Sequence, residues 1–456
     1  MTSVIPATTG TPPAGGRMIN KFDPAAADVL GPAERRLLER RRATLGDIYP
    51  LFYDRPLHVV RGHGARLYDA DGLEYLDVYN NVPAVGHGNP RVAQAVFDQL
   101  GRMNTHTRYL QDGVVTYAER LLATYPAHLD HLILTNSGSE ANDLAIQVAR
   151  WRSGARGLIV TRNAYHGTTA LLAGASPENG PEMALHPEVR TVEPPDTYRY
   201  GERAGEVFAD AVAEAVTDLR RHGFGVAALL IDTILSTDGI YPGPPGMLAA
   251  GFTAVRAAGG VVIADEVQPG MGRLGTSMWG FRRHTDEVDL VTCGKPMAGG
   301  LPIGSLVLPA ELSDGYAAEH RYFNTFGGNP ASVAAATAVL DEIEEHHLVE
   351  QAGTVGALLL DRLATASAGS PLVVDVRGAG LFVGVEVEGT AQVPARELAR
   401  RLVNGLRDRR VLISAVGQAG QVLKVRPPLV FTAEDVEIVA GAYADVLHEV
   451  TEGAAA

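Results

Sequence analysis

The sequence has a single cysteine, Cys293, in 456 residues. That excludes an intrachain disulfide and a thiolate metal cage, so no metal site is expected. It is compatible with a reducing compartment, and a cytoplasmic protein is expected. Basic residues are not in excess: 39 Lys and Arg stand against 53 Asp and Glu, a net charge of −14. Nothing in that balance would release counterions from phosphates, so no nucleic-acid partner is expected. The chain also lacks any apolar run near the roughly 20 residues that a membrane helix needs. Met1 to Gly16 holds Thr, Pro and Gly but no basic stretch ahead of an apolar one. It reads as a loose arm and not as a signal peptide, with disorder expected over residues 1–20. Aromatic residues are only 6%, whereas Gly numbers 51 and hydrophobic residues make up 46%. An α/β enzyme with many loops fits that composition.

Pro32 to Arg42 sets a proline ahead of strong helix formers and predicts a short polar helix. Asp71-Gly72, with alternating apolar residues on either side between Ala65 and Val78, predicts a hairpin. Asn80 to Pro90 is too rich in Gly, Pro and Asn for an element interior. Pro90 opens a helix with Val92, Ala93, Val96 and Leu100 on one face. Leu132 to Thr135, Ala227 to Ile231 and Gly260 to Ala264 read as buried strands, with helices such as Ala204 to Arg221 between them. That alternation predicts a mainly parallel sheet covered on both faces. Ligands of such sheets lie beyond the carboxyl ends of the strands. Asp232, Asp265 and Lys295 all fall at such ends. From about Pro330 a long Ala-rich helix, Ser332 to Glu344, leads into an α+β closing domain.

Four stretches carry chemistry. Asn136 to Asn142 joins a strand to a helix, and Ser137 with Glu140 reads as a capping box. Its Gly138-Ser139 turn offers free N–H groups and a positive dipole end, which suit a phosphate; the alternative is a plain capped helix. Asp265 ends an apolar strand, where a carboxylate must be paired or serve chemistry. Above it a pyridine ring would stay protonated and act as an electron sink, with Gln268 able to donate to a ring hydroxyl. The alternative gives Asp265 and Glu266 a metal or a loop cap. Tyr165 and His166 sit in a turn where the tyrosine face suits a flat ring, or serves only as packing. Lys295 lies in the turn Gly294-Lys295-Pro296 after an apolar strand, surroundings that suit a Schiff-base lysine; the alternative is an ordinary turn lysine.

Phosphate turn, aromatic, carboxylate and lysine follow in that order, and Lys295 comes thirty residues after Asp265. With Asn324 to Pro330, these motifs resemble the class III, pyridoxal-phosphate-dependent aminotransferases of fold type I, from roughly Leu67 to Val450. The resemblance implies an α/β fold with a large domain on a mainly parallel seven-stranded sheet and a smaller α+β domain. It divides the chain into the arm 1–20, an N-terminal segment 21–75 joining the small domain, a cofactor domain 76–330 and a small domain 331–456. It implies that Lys295 forms the Schiff base and shuttles the proton, with Asp265 on the pyridine nitrogen and Gln268 near the ring oxygen. Tyr165 would stack on the ring with His166 beside it, and Val267 would cover the other face. Gly138 and Ser139 would hold the phosphate, and Asp232 would complete the cofactor shell. Thr325 would reach the phosphate of a neighbouring subunit, so a homodimer with shared sites is expected.

Asn80-Asn81-Val82, Gly86-His87, Asn104-Thr105 with Arg108-Tyr109-Leu110, and Asp196 to Arg199 look like the phosphoethanolamine and phosphohydroxylysine phospho-lyases, relatives of the alanine–glyoxylate aminotransferases. The chain departs from the wider family twice. Asp232 stands where glutamate is common. Lys424 stands where many members carry the arginine that grips the α-carboxylate, and lysine lacks the bidentate fork. Asn80, Asn81, Lys424 and Arg426 are the expected substrate contacts; for Arg426 the alternative is a surface residue. The expected activity is amino transfer between a primary or ω-amine and a keto acid or aldehyde. The rival is elimination of phosphate and ammonia from a phosphorylated amino alcohol. A non-catalytic binding protein would not need the lysine, aspartate and phosphate turn together.

Overall fold

The apolar runs become strands. In the computed structural model, which describes residues 18–455, they are, in chain order, Val59–His63 (β1), Arg66–Asp69 (β2), Glu74–Asp77 (β3), His131–Thr135 (β4), Leu158–Thr161 (β5), Val189–Val192 (β6), Ala228–Ile231 (β7), Val261–Asp265 (β8), Leu290–Cys293 (β9), Gly304–Leu308 (β10), Val373–Gly378 (β11), Val383–Val387 (β12), Val411–Leu412 (β13), Ser414–Val416 (β14) and Val422–Val425 (β15). Most of the expected arm lies outside the described residues. Its last residues are not loose: Ile19 and Asn20 are buried, and the Tyr53 N–H donates to the Asn20 carbonyl at 2.6 Å. An apolar side chain at position 19 gives this stretch a core to join.

The large sheet has seven strands in the order β4-β10-β9-β8-β7-β5-β6. β9, β8, β7, β5 and β6 run parallel, and β10 is antiparallel to both β4 and β9. Every residue of β5, β7, β8 and β9 is buried, as two-sided helix cover demands. β4 corrects the expected buried strand. It is the sheet's edge and only half-buried until Thr135. The carboxyl ends of β7, β8 and β9 deliver Asp232, Asp265 and Lys295 to one rim.

β1, β2 and β3 form an antiparallel ladder whose β2–β3 turn is the expected hairpin, with Gly72 at φ +81°. β3 then pairs in parallel with β13, so residues 59–77 are stitched to the C-terminal part of the chain. The third sheet, β11-β12-β15-β14, is antiparallel throughout. The helices Leu348–Ser367, Ala395–Asp408 and Ala433–Ala455 belong to this part.

The polar helix at Pro32–Leu45 buries none of its residues. The helix Pro90–Arg102 behaves differently from its pattern. Of the expected core face only Val92 is buried, while Ala93 and Leu100 are exposed. Among the described residues Val96 is half-buried against the core, whereas Ala93, Phe97 and Leu100 are left uncovered. No helix among the described residues is long and apolar enough to cross a membrane.

Candidate active site

β4 ends at Thr135, and the chain turns through Ser137 into the helix Gly138–Ser153. Ser137 caps it, its hydroxyl accepting from the Glu140 N–H at 3.2 Å. The reciprocal half of the expected capping box is absent. Glu140 accepts instead from the Asn136 N–H at 2.9 Å and from the Asn324 amide at 2.7 Å. The carboxylate thus binds the 324–330 loop to this turn, a long-range claim that no local pattern reveals. The first N–H groups of a helix have no intrahelical partner and sit at its positive end. There is no room here for larger residues. A Cβ on Gly138 would fall 2.6 Å from Val267 Cγ2, and one on Gly167 would fall 2.5 Å from Ser139 Oγ.

Asp265 is the last residue of β8 and 4% exposed. Its Oδ2 accepts from Asn142 Nδ2 at 2.8 Å and lies 2.7 Å from His166 Nδ1; its Oδ1 accepts from the Val267 N–H at 3.1 Å. Asn142 is held in turn by the Thr292 hydroxyl at 2.5 Å. A buried asparagine in mid-helix is a poor helix former. The sequence offers Asn142 only as the last residue of the Asn136 to Asn142 motif, with no role of its own.

Lys295 follows β9 by two residues, and its side chain is exposed to a cavity of about 250 Å³ while protein surrounds it. Burial lowers its pKa, opposed by the charge of Asp265. The same cavity is lined by Gly138, Ser139, Tyr165, His166, Asp232, Asp265, Val267 and Gln268. Asp232 accepts from the Ile234 N–H at 3.0 Å and from the Ser236 hydroxyl; burial raises its pKa.

The remaining expected residues lie elsewhere. Thr325 is exposed and does not line the cavity of its own chain. Asn80 donates to Asp77 Oδ2 at 2.9 Å, and Asn81 donates to the Val267 carbonyl at 3.2 Å. Lys424 Nζ donates to Gln268 Oε1 at 2.8 Å, and Arg426 Nη1 donates to the same oxygen. Arg426 is 5% exposed, which removes the surface alternative.

The pattern of class III aminotransferases matches residues 52–447. The chain belongs to the class III aminotransferase family. An alanine–glyoxylate aminotransferase 2-like protein of Drosophila melanogaster is 36% identical over 88% of this class III chain and 84% of its own. An ethanolamine-phosphate phospho-lyase homologue of Caenorhabditis elegans is 33% identical over 91% of this chain and 93% of its own. A solved phospholyase from Arthrobacter, in complex with phosphoethanolamine, is 44% identical, covers 90% of this chain and 99% of its own, and superposes with a TM-score of 0.87.

Class III aminotransferases use pyridoxal phosphate, and this enzyme does too. Its residues fit the group. The cavity offers an amine, a fixed carboxylate, an aromatic face and a helix N-terminus, and Gly138 and Gly167 let its walls pack where a Cβ would collide. Both Asp265 oxygens accept from nitrogen donors, which fixes the carboxylate's orientation at the cavity. Among the described residues no group of three His, Cys, Asp or Glu could hold a metal ion.

Proposed function

We propose that this enzyme eliminates phosphate and ammonia from a short phosphorylated amino alcohol, phosphoethanolamine or a near relative. The observation that carries the reading is the 44% identity to the phospholyase, over nine-tenths of this chain. The cavity supports it. Among the described residues Lys295 is the only Lys or Arg that lines it, so this lining offers an amino acid's carboxylate no guanidinium. Phosphoethanolamine has no carboxylate to hold.

When bound, pyridoxal phosphate supplies an electron sink for the carbon that bears the amine. The residues of this chain do the rest. Gly138 and Ser139 would hold the cofactor phosphate through N–H groups, and Tyr165 and Val267 would cover the two faces of the ring. Asp265, its position fixed by Asn142 and His166, keeps a proton on the ring nitrogen. The Lys295 amine removes the proton from the carbon bearing the amine. The released electron pair expels phosphate from the adjacent carbon as its C–O bond breaks. One water then yields the aldehyde and ammonia, and no amino acceptor is consumed.

A second reading, amino transfer to a keto acid or aldehyde, is favoured by the aminotransferase name of the Drosophila relative. The two part in one assay. Elimination releases phosphate and ammonia in equal amounts from phosphoethanolamine alone. Transfer requires a keto acid and converts it mole for mole. Conversion of keto acid without phosphate release would overturn the proposal.

We infer that the active unit is a homodimer. Phe97, Leu110 and Phe326 are 73%, 102% and 69% exposed, apolar surface that a second copy would cover. Thr325 lies beside Phe326 and would serve the neighbouring copy's cavity. We assign the cation for the substrate phosphate to the same surface. Arg108 lies 3.7 Å over the ring of Phe323, two residues from Thr325. Arg108→Ala should then raise KM for phosphoethanolamine without changing the cofactor's spectrum; an unchanged KM would refute the assignment. A cytoplasmic location is part of this reading, on the strength of the single cysteine.

A further inference from the structure

We infer that Lys424 and Arg426 are positioning residues that clamp the side-chain amide of Gln268, turning its NH2 group toward the cofactor's ring oxygen. The inference rests on the cofactor reading of the cavity.

Lys424 lies on β15 and Arg426 just beyond it, two residues on, so both side chains leave the same face of the strand. They are 3% and 5% exposed. Both end on one atom. Lys424 Nζ is 2.8 Å from Gln268 Oε1, and Arg426 Nη1 donates to that oxygen as well. An ammonium and a guanidinium carry donors only, so neither can face the NH2 end of an amide. Chemistry therefore fixes which way this amide points. Its oxygen is spent on the two cations, and its donors are left for the cavity that Gln268 lines.

The clamp is anchored at its far ends. Arg426 Nε and Nη2 donate to the Tyr79 carbonyl at 3.1 and 2.8 Å. Lys424 Nζ donates to the Ser236 carbonyl at 3.3 Å, and Ser236 is itself bonded to Asp232. The backbone beneath is held too, by Asn81 Nδ2 on the Val267 and Gln268 carbonyls at 3.2 and 3.3 Å. Two buried cations sharing one neutral oxygen is a costly way to build a core, since apolar residues of like volume would serve packing at no desolvation cost. The cost is intelligible if the amide's orientation matters. Burial, with Arg426 adjacent, pushes the Lys424 ammonium well below its ordinary pKa. A neutral amine still donates an N–H but gains a lone pair, so in that state the Arg426 guanidinium alone fixes the amide's orientation.

Lys424 stands where the resemblance puts a carboxylate-gripping arginine. Here its ammonium is occupied and absent from the cavity lining. The position thus serves the cofactor in place of the substrate's acid end.

An N–H on the ring oxygen stabilises its anion. The readout is the pH midpoint at which the visible band of the bound cofactor converts, measured without substrate. Gln268→Leu should raise that midpoint by about one pH unit, the size of one lost polar contact. Lys424→Met should raise it in the wild-type background but leave it unmoved when Gln268 is already leucine. Lys424→Arg, which keeps a donor, should retain the wild-type midpoint. Arg426→Gln supplies a second cycle if Lys424→Met does not fold. Equal shifts from Lys424→Met with and without Gln268 would overturn the clamp, because the charge would then act directly. A wild-type protein with no cofactor band at all would instead sink the cofactor reading, so the two failures are distinguishable.

Discussion

His166 Nδ1 lies 2.7 Å from Asp265 Oδ2, and both residues are buried. A carboxylate oxygen can only accept, so the proton sits on Nδ1. The imidazole thereby fixes the carboxylate's rotation, with Asn142 as the second stay on the same oxygen. Asp265→Asn keeps the shape and removes the charge that, on the proposed reading, would hold a proton on the ring nitrogen. Turnover should fall by at least about 10²-fold, as for other charge-stabilising groups, with the cofactor still bound. His166→Phe should cost less. Equal turnover in Asp265→Asn and wild type would refute the role of the aspartate.

Lys295 is surrounded by protein, and that burial favours its neutral, nucleophilic form. Apoenzyme should therefore capture the cofactor aldehyde with a half-maximal rate below pH 10.5, the ordinary lysine value. Stopped-flow absorbance against pH measures this. Lys295→Ala should bind the cofactor without a borohydride-stable attachment. A reducible adduct persisting in that variant would place the attachment on another amine.

Asp77 is fully buried and 2.6 Å from His87 Nε2. Burial acts to raise its pKa, but the bonds from His87 and Asn80 outweigh it and hold the carboxyl below its ordinary 3.8. A folded value below the unfolded one means stability present above pH 3.8 and lost as pH falls through the folded value. Asp77→Asn should lower stability at pH 7 by about 1.5–3 kcal/mol, the worth of a hydrogen bond to a charged group. It should also flatten the loss of Tm below about pH 4 relative to wild type. Parallel Tm curves for the two proteins across that range would dispose of the argument.

The sequence pattern reaches most of this fold because its signals are local. The Asp71-Gly72 hairpin, the helix at Ala204–Arg221 and the strand ends at Asp232 and Asp265 are written in turn chemistry and apolar periodicity. What was not legible depends on partners distant in the chain. Glu140 belongs to Asn136 and Asn324 and not to Ser137. Lys424 and Arg426 meet Gln268 across some 156 and 158 positions. The helix Pro90–Arg102 shows the limit in another way. Its apolar face is real, but periodicity cannot say whether the cover comes from the same chain.

If Thr325 serves the neighbouring copy, two inactive variants should complement each other. A hybrid of Lys295→Ala with Thr325→Ala has one site lacking both residues and one site with both intact. Random pairing makes half the dimers hybrid, so about a quarter of wild-type activity should return on mixing after dissociation. No recovery, with hybrids verified by mass, would mean that each chain builds its site alone.

On the proposed reading Gly138 would hold the phosphate end and Val267 the ring face, and the two residues are in close contact. A Cβ at position 138 would lie 2.6 Å from Val267 Cγ2, too close for any real pair. The Val267 backbone cannot retreat, because its N–H is on Asp265 and its carbonyl on Asn81. Its side chain must turn into the cavity where the ring lies. Gly138→Ala should therefore weaken cofactor binding roughly tenfold, within the 1–3 kcal/mol typical of overpacking. Val267→Ala removes the obstructing methyls, so the double variant should bind better than Gly138→Ala alone. Equilibrium dialysis of the cofactor measures all three. If the second substitution brings no recovery, the defect lies in the helix N-terminus itself, and the packing account of Gly138 is wrong.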